Sequence, residues 1–257
     1  MAPSAAVPAA TTSLAARMFN VFATPGEVFD EVKGSKPSTA NWLVPTLLVL
    51  LVGVLSIFII YSQPAILQQI HEQQTKAIDD QVKSGKITQA QADQEEAVLG
   101  KFGGPAIMIF AGSIGVVVVI FARVFWWALV LWLLGKWFLK AGFSYQQALE
   151  VAGLASMITI LGGLVMTLLT VWLGKITSLS LALCNLNSDP RSLVHMLLTA
   201  VDFFELWVMG VLAVGLARLS GASLARALSC TFSYWLVITS LFVSLGWFFA
   251  HLSTGFK

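Results

Sequence analysis

The stretch WLVPTLLVLLVGVLSIFIIY, residues 42–61, decides the fold class of this chain. It contains no charged side chain, and an aromatic residue stands at each end. Its proline, Pro45, falls in the predicted first turn, where a missing backbone N–H costs little. A bilayer core about 30 Å thick requires about 20 mostly apolar residues of helix. The stretch therefore predicts a membrane-spanning helix.

The composition of the whole chain extends this conclusion. Of the 257 residues, 57% are hydrophobic and 11% are charged, whereas soluble domains contain about 25% charged residues. These values exclude a water-soluble fold and an intrinsically disordered chain. A formal net charge of +2 provides no basic surface for nucleic acid. Two cysteines are too few for a disulfide framework or a four-cysteine zinc site.

Four further apolar runs predict an all-α, polytopic membrane bundle of five transmembrane helices. No turn signal interrupts the second run before Gly135, so we expect one long, tilted helix there. The segment ITSLSLALC, residues 176–184, is too short to cross a bilayer and predicts a re-entrant or interfacial segment. The four runs cover residues 105–139, 148–174, 197–219 and 228–251.

The polar segments divide the chain into four parts. They predict a single membrane domain over residues 14–257, preceded by a short tail. An odd number of spans places the two termini on opposite sides of the membrane. The predicted parts are a cytoplasmic tail and amphipathic collar (1–41), the first span (42–61), an extracytoplasmic helical hairpin (62–104) and four further spans with short loops (105–257).

Basic residues near the span ends predict the orientation. Under the positive-inside rule, Lys and Arg concentrate on the cytoplasmic side. We therefore expect the N-terminus in the cytoplasm and the C-terminus outside. The residues that favour this orientation are Arg17, Lys33, Lys36, Lys136, Lys140, Arg218 and Arg226.

The collar, residues 14–36, is predicted to form two short helices before the first span. Apolar side chains on one face of residues 14–22 suggest an interfacial helix. Thr24-Pro25-Gly26-Glu27 is a capping-box pattern that opens a second helix, which Gly34 ends. Phe29 and Val32 are expected to face the membrane. The collar is either a docking surface for a cytoplasmic protein or a stop that seats the first span, and we favour the second interpretation.

The segment between the first two spans predicts a pair of helices. Apolar residues recur at helical spacing over residues 64–83, and Ser84-Gly85 breaks the pattern. A second capping box, from Thr88 to Gln91, opens a helix that continues to about Leu99. A substrate-binding cap and an oligomer contact are both open interpretations. We favour a solvated connector whose two apolar stripes pack on each other.

Patterns of known catalytic and metal sites are missing from the sequence. It contains no HExxH, GxSxG, P-loop or GxGxxG, and its three histidines lie in separate segments. We therefore predict no catalytic, cofactor-binding or metal-binding residues, no cofactor, and a non-enzymatic protein.

Arg123, Asp202 and Glu205 are the ionisable residues predicted deep within the spans. Arg123 lies thirteen residues before Lys136, and Glu205 lies thirteen before Arg218, so both are about 20 Å from the inner interface. Asp202 is expected on the same helix face as Glu205. We predict that Arg123 pairs with Glu205 or Asp202. The cluster is either an ion or proton relay or a structural bridge, and we favour the bridge.

The third predicted span carries an acidic residue and several small ones. Glu150 is expected at the interface, beside Lys136 or Lys140. Small residues let helices approach closely in lipid, and here they predict self-association into a homo-oligomer. The small surfaces are Gly153 with Met157, and Gly162-Gly163.

Several short motifs resemble bacterial proteins of the Yip-domain family. They are MFNVFATPGEVFDEV (18–32), NWLVP (41–45), DFFELW (202–207), GLA (215–217) and GASLARA (221–227). The resemblance covers nearly the whole chain and implies a five-span helical membrane domain with a cytoplasmic N-terminus. Eukaryotic relatives are Golgi and endoplasmic reticulum proteins that bind Rab-type GTPases and serve membrane traffic, whereas bacterial members have no such established role.

Together these features favour a non-enzymatic integral membrane protein that scaffolds or organises a membrane assembly. Its partners would be the lipid bilayer, further copies of itself and a cytoplasmic protein bound at the collar. The alternative is a small-solute or ion transporter in which Arg123, Asp202 and Glu205 line a path at mid-membrane.

Overall fold

A computed structural model describes residues 12–185 and 192–252. Most of the predicted N-terminal tail and the last five residues lie outside these ranges. The described residues form helices joined by short connections, which confirms the predicted all-α class. The helices are α1 Leu14–Asn20, α2 Pro25–Gly34, α3 Ala40–Tyr61, α4 Pro64–Lys83, α5 Gln89–Phe102, α6 Pro105–Trp137, α7 Tyr145–Ala155, α8 Met157–Leu173, α9 Leu193–Ala200, α10 Phe203–Ser220 and α11 Leu224–Leu252.

Five segments of the described chain are long and apolar enough to cross a membrane. They match the five predicted spans, and α6 is a single helix of 33 residues, as the lack of a turn signal predicts. The segments are Ala40–Tyr61, Pro105–Trp137, Tyr145–Leu173, Phe203–Ser220 and Leu224–Phe249.

The third span is broken at Ser156, which the sequence pattern does not reveal. Helix α7 ends at Ala155 and α8 begins at Met157. The Ser156 hydroxyl donates to the carbonyl of Gly153 at 2.6 Å, and the Ser156 N–H donates to Ala152 O at 3.1 Å. A side chain that bonds back to the preceding turn bends a helix. The span therefore consists of two helices with a turn between them.

The fourth span begins later than predicted. Residues 197–219 were expected to form one helix, but α9 ends at Ala200 and α10 begins at Phe203. Asp202 is the N-cap of α10 and not a residue within the span. With 18 residues, α10 is about 27 Å long, slightly shorter than the hydrocarbon core.

The connection from α8 to α10 folds back toward the bundle. The N–H of Leu179 donates to the sulfur of Met166 at 3.2 Å, and Phe203 N donates to Leu179 O at 3.1 Å. Met166 lies seven residues before the end of α8, about 10 Å along the helix. A short 3-10 helix, Leu181–Asn185, follows. The segment predicted to be re-entrant or interfacial, residues 176–184, thus lies partly alongside α8.

The collar is part of the protein core, which corrects the prediction that Phe29 and Val32 face the membrane. Both side chains are fully buried, and α2 packs against α7 and α10. The α1 residues Met18 and Arg17 are buried as well. Helix α2 ends at Gly34 as predicted, but Thr24 makes no side-chain capping bond to its first turn, all of which is described.

Helices α4 and α5 form the predicted hairpin. The capping box at its second helix is present, because Gln91 N donates to Thr88 Oγ1 at 3.3 Å and Thr88 N donates to Gln91 Oε1 at 2.8 Å. Helix α5 continues to Phe102, three residues beyond the predicted end. The hairpin contacts the span bundle mainly through the end of α3.

Candidate functional site

Arg123 of α6 and Glu205 of α10 form an ion pair. The pairing predicted from their matched depths is therefore present, with Glu205 as the partner. Their side chains are 38% and 24% exposed, so the pair borders an open space and is not sealed in the core. Two opposite charges that satisfy each other lower the cost of placing either within a membrane span.

Asp202 has a different role from the predicted one. Its Oδ1 accepts hydrogen bonds from Phe204 N at 2.9 Å and Glu205 N at 3.2 Å. A carboxylate in this position accepts hydrogen bonds from the first backbone N–H groups of the helix, and the positive end of the helix dipole stabilises its negative charge. Asp202 therefore caps the start of α10, and contrary to the prediction it does not share a helix face with Glu205.

A recess of about 300 Å³ lies beside the ion pair, between α6, α8 and α10. On its α8 side Gly162 lies directly against Phe204, because a Cβ added at Gly162 would come within 2.9 Å of that ring. On the other side of Arg123 lies a smaller space of about 30 Å³, lined in part by Ser156 and Thr159. Formally the recess holds one positive and two negative groups. Among the described residues no group of three or more His, Cys, Asp or Glu could hold a metal ion.

Glu150 is the centre of a second polar cluster, which sequence reasoning missed. It was expected at the interface beside Lys136 or Lys140, but its side chain is fully buried. Its carboxylate accepts from Asn41 Nδ2 at 2.5 Å and from Ser38 N at 2.8 Å. The Glu150 side chain of α7 thus binds the segment that leads into the first span and the first turn of α3.

Arg17 connects this cluster to the collar. Its Nη1 donates to Asn41 Oδ1 at 3.4 Å, and its Nε lies 3.1 Å from Glu31 Oε2. The network therefore links α1, α2, the start of α3 and α7. A usable signal was present in the sequence, because a carboxylate inside an apolar run requires a partner.

A third, more exposed cluster joins the collar to the end of α10. Arg218 Nη1 lies 2.9 Å from Asp30 Oδ2, and Lys33 Nζ donates to the Arg218 carbonyl at 2.8 Å. Gly26 lies beneath the guanidinium, since a Cβ there would come within 2.8 Å of it. Both side chains of the ion pair are about half exposed (51% and 52%), so this pair contributes at most about 1 kcal/mol.

The small residues of the third span are covered within the chain. A Cβ at Gly153 would come within 2.3 Å of Trp42 Cα in α3, and Gly162 is covered by Phe204 of α10. The close helix contacts predicted at these glycines are present, but they are intramolecular. These glycines therefore offer no free surface for the self-association expected there.

Comparison with known families identifies the architecture. The model of the Yip1 domain matches residues 19–246. The chain belongs to the Yip1 domain family. The match begins within α1 and ends within α11, so it includes α2, the hairpin, four of the candidate spans and most of the fifth. No curated protein and no solved structure gives a significant match.

Proposed function

We propose that this Yip1-family protein is a non-enzymatic membrane-organising scaffold. Its collar and the adjoining end of α10 would form a platform for a cytoplasmic protein. The proposal places it in a bacterial inner membrane with the N-terminus in the cytoplasm, in agreement with the basic residues near that end. Family membership supports a membrane-organising role in general, and the Yip1 family is not known for enzymatic activity.

The observation that carries the proposal is the way the collar is held. Phe29 and Val32 are buried in the bundle, and the Glu150 network fixes the loop that follows. A surface fixed before binding loses little conformational entropy when a partner docks. The outer face of this rigid platform still offers contacts, among them Phe19, which is 71% exposed. In the proposal Phe19 is the anchor of the docking surface, because a few residues that become buried on binding provide most of the affinity of an interface.

We do not extend the proposal to transport. The charges of Arg123 and Glu205 satisfy each other, and the family match gives no support to a transporter. The interpretation as a structural bridge between α6 and α10 is sufficient for this pair.

Partner capture tests the platform without removing it, since deletion of the collar would expose the core. Full-length protein carrying Phe19→Asp is compared with wild type and with Phe102→Asp, a matched exposed phenylalanine at the opposite end (52% exposed). We expect Phe19→Asp to lower recovery of cytoplasmic proteins at least tenfold, the loss typical of a buried aromatic anchor. Equal recovery with the two variants would contradict the proposal.

Orientation is tested separately by labelling in intact cells. Single cysteines at Asn20 and Ser84 are introduced into a chain that carries Cys184→Ser and Cys230→Ser. A membrane-impermeant maleimide should label the Ser84→Cys variant and should reach the Asn20→Cys variant only after permeabilisation. The opposite pattern would overturn the assigned orientation.

A further inference from the structure

An apolar groove runs along the hairpin between α4 and α5, outside the spans. Its volume is about 600 Å³. The two apolar stripes, which we expected to pack on each other, leave this space open. Apolar residues form its floor, and glutamines and one acidic residue form its rim; the lining includes Ala77, Ile87, Val98, Leu99, Gln74, Gln94 and Glu95.

The hairpin has little core of its own. All residues of α4 and α5 are described, and those with buried side chains are Ile66, Ile78 and Ala92. Val98, on the floor of the groove, is 55% exposed. Two helices of 20 and 14 residues bury too little apolar surface to be stable alone, so a further element is needed to complete the packing.

The spacing of the residues that line the groove indicates that helices would bind in it. On α5 the groove residues Gln91, Gln94 and Val98 recur at steps of three and four. On α4 the groove residues Ala77 and Ile78 lie three and four residues after Gln74. Steps of three and four residues place side chains along one face of each helix, as in helices that pack by knobs into holes.

Gln74 provides an independent sign of a missing partner. Its side-chain oxygen is buried and accepts no hydrogen bond from any described residue. A buried acceptor without a donor costs about 1–3 kcal/mol, so native structures rarely leave one unsatisfied. In a second hairpin, the side-chain amide groups of the rim glutamines are long enough to donate a hydrogen bond to the Gln74 oxygen.

Charge selects how two hairpins would face each other. Helix α5 carries three acidic residues and one lysine, whereas α4 with the following turn carries three acidic residues and three lysines. Two α5 helices side by side would repel, and α5 against a partner's α4 would not. Two copies inserted the same way in one bilayer are related by an axis along the membrane normal.

We propose that this groove binds the same groove of a second copy, so that two hairpins form a four-helix bundle beside the membrane. Helix α4 of one copy packs against α5 of the other, and both apolar floors are covered. Self-association thus occurs through the hairpin and not through the small residues of the third span. The proposal is independent of a cytoplasmic partner at the collar.

Disulfide trapping tests the arrangement. Two differently tagged full-length chains, both with Cys184→Ser and Cys230→Ser, carry Ala77→Cys and Val98→Cys respectively. They are reconstituted together at low density in phospholipid vesicles and oxidised. We expect a disulfide between the two tags. The control pair is Gln73→Cys with Glu96→Cys, exposed positions that do not line the groove. Absence of the groove disulfide, or equal yield from the control pair, would overturn the proposal.

A matched pair of neighbouring substitutions tests the energetics. Val98→Asp places a charge in the groove, whereas Ala97→Asp places the same charge on an adjacent exposed residue outside it. Energy transfer between labelled copies is measured against protein density in vesicles. We expect Val98→Asp to weaken dimerisation about tenfold or more and Ala97→Asp to have little effect. Because Val98 is more than half exposed in one copy, circular dichroism should show both variants folded. Equal dimerisation of the two variants, or a wild-type chain that is monomeric at all densities, would refute the dimer.

Discussion

Around the collar, helices pack from every side, whereas toward the hairpin the same helices separate. Helix α6 shows the contrast within one element. Its buried residues all lie between Val124 and Gly135, while Phe110 and Val118 in its first half are 69% and 62% exposed. Helix α7, at the collar end, has eight buried residues among its eleven. The collar end thus resembles the interior of a soluble protein, and the hairpin end presents apolar side chains to lipid.

The polar groups follow the same division. At the collar end Glu150 is fully enclosed and hydrogen-bonded. The pair of Arg123 and Glu205, near the boundary between the two ends, borders an open recess. On the hairpin, Gln74 has a buried oxygen without a described partner. Of these three groups, Glu150 at the collar end is therefore the most completely enclosed and hydrogen-bonded.

The largest expected effect comes from Glu150→Ala. The substitution leaves the Asn41 amide and the Ser38 N–H buried without their acceptor, and it removes a negative charge near Arg17. Breaking such a buried arrangement should lower the free energy of unfolding by about 3–5 kcal/mol. Unfolding in mixed micelles measures it, with Glu96→Ala on the hairpin as the control. If the two variants were equally stable, the collar end would not depend on this network.

An intermediate effect is expected from glycine substitutions at the two ends. Gly153→Ala would place a Cβ 2.3 Å from Trp42 Cα, so α3 and α7 must move apart. Overpacking against backbone should cost about 3 kcal/mol.

The matched control for this substitution is Gly115→Ala, in the hairpin half of α6. No described atom lies within 4 Å of a Cβ at Gly115, so the change should leave stability unaltered or raise it slightly. Thermal unfolding of both variants compares them directly. Equal losses would mean that the hairpin half is packed as tightly as the collar half.

The smallest effect is expected at the boundary. A double-mutant cycle with Arg123→Gln and Glu205→Gln should give a coupling free energy of about 1–2 kcal/mol, because the pair is partly exposed. The same unfolding measurement applies, with Asp30→Asn and Arg218→Gln as a surface pair expected to couple by less than about 1 kcal/mol. A coupling near zero for Arg123 and Glu205 would remove the structural role assigned to them.

Local signals predicted the spans and the hairpin well. The long apolar runs, the unbroken α6 and the capping box at Thr88 each depend on residues close in sequence. The pairing of Arg123 with Glu205 was also accessible, because helix rise converts sequence spacing into depth. A local signal for the start of α10 was present but unused: Asp202 followed three residues later by Glu205 fits an N-terminal capping pattern.

Other features depend on packing between distant parts of the chain. Phe29 and Val32 form an apolar face that suits a membrane surface as well as a protein core, and only the position of α10 decides between them. The burial of Glu150 likewise depends on Asn41, which lies 109 residues away in sequence. The groove of the hairpin depends on how closely α4 and α5 approach, which apolar periodicity does not specify.

The burial of the collar also imposes an order on biogenesis. The collar is synthesised before its partners: Ser38 meets its acceptor 112 residues later, and Lys33 meets the Arg218 carbonyl 185 residues later. While the ribosome adds the intervening spans, the apolar face of α2 has no native partner to cover it. The collar can therefore reach its final place only after α10 has been synthesised.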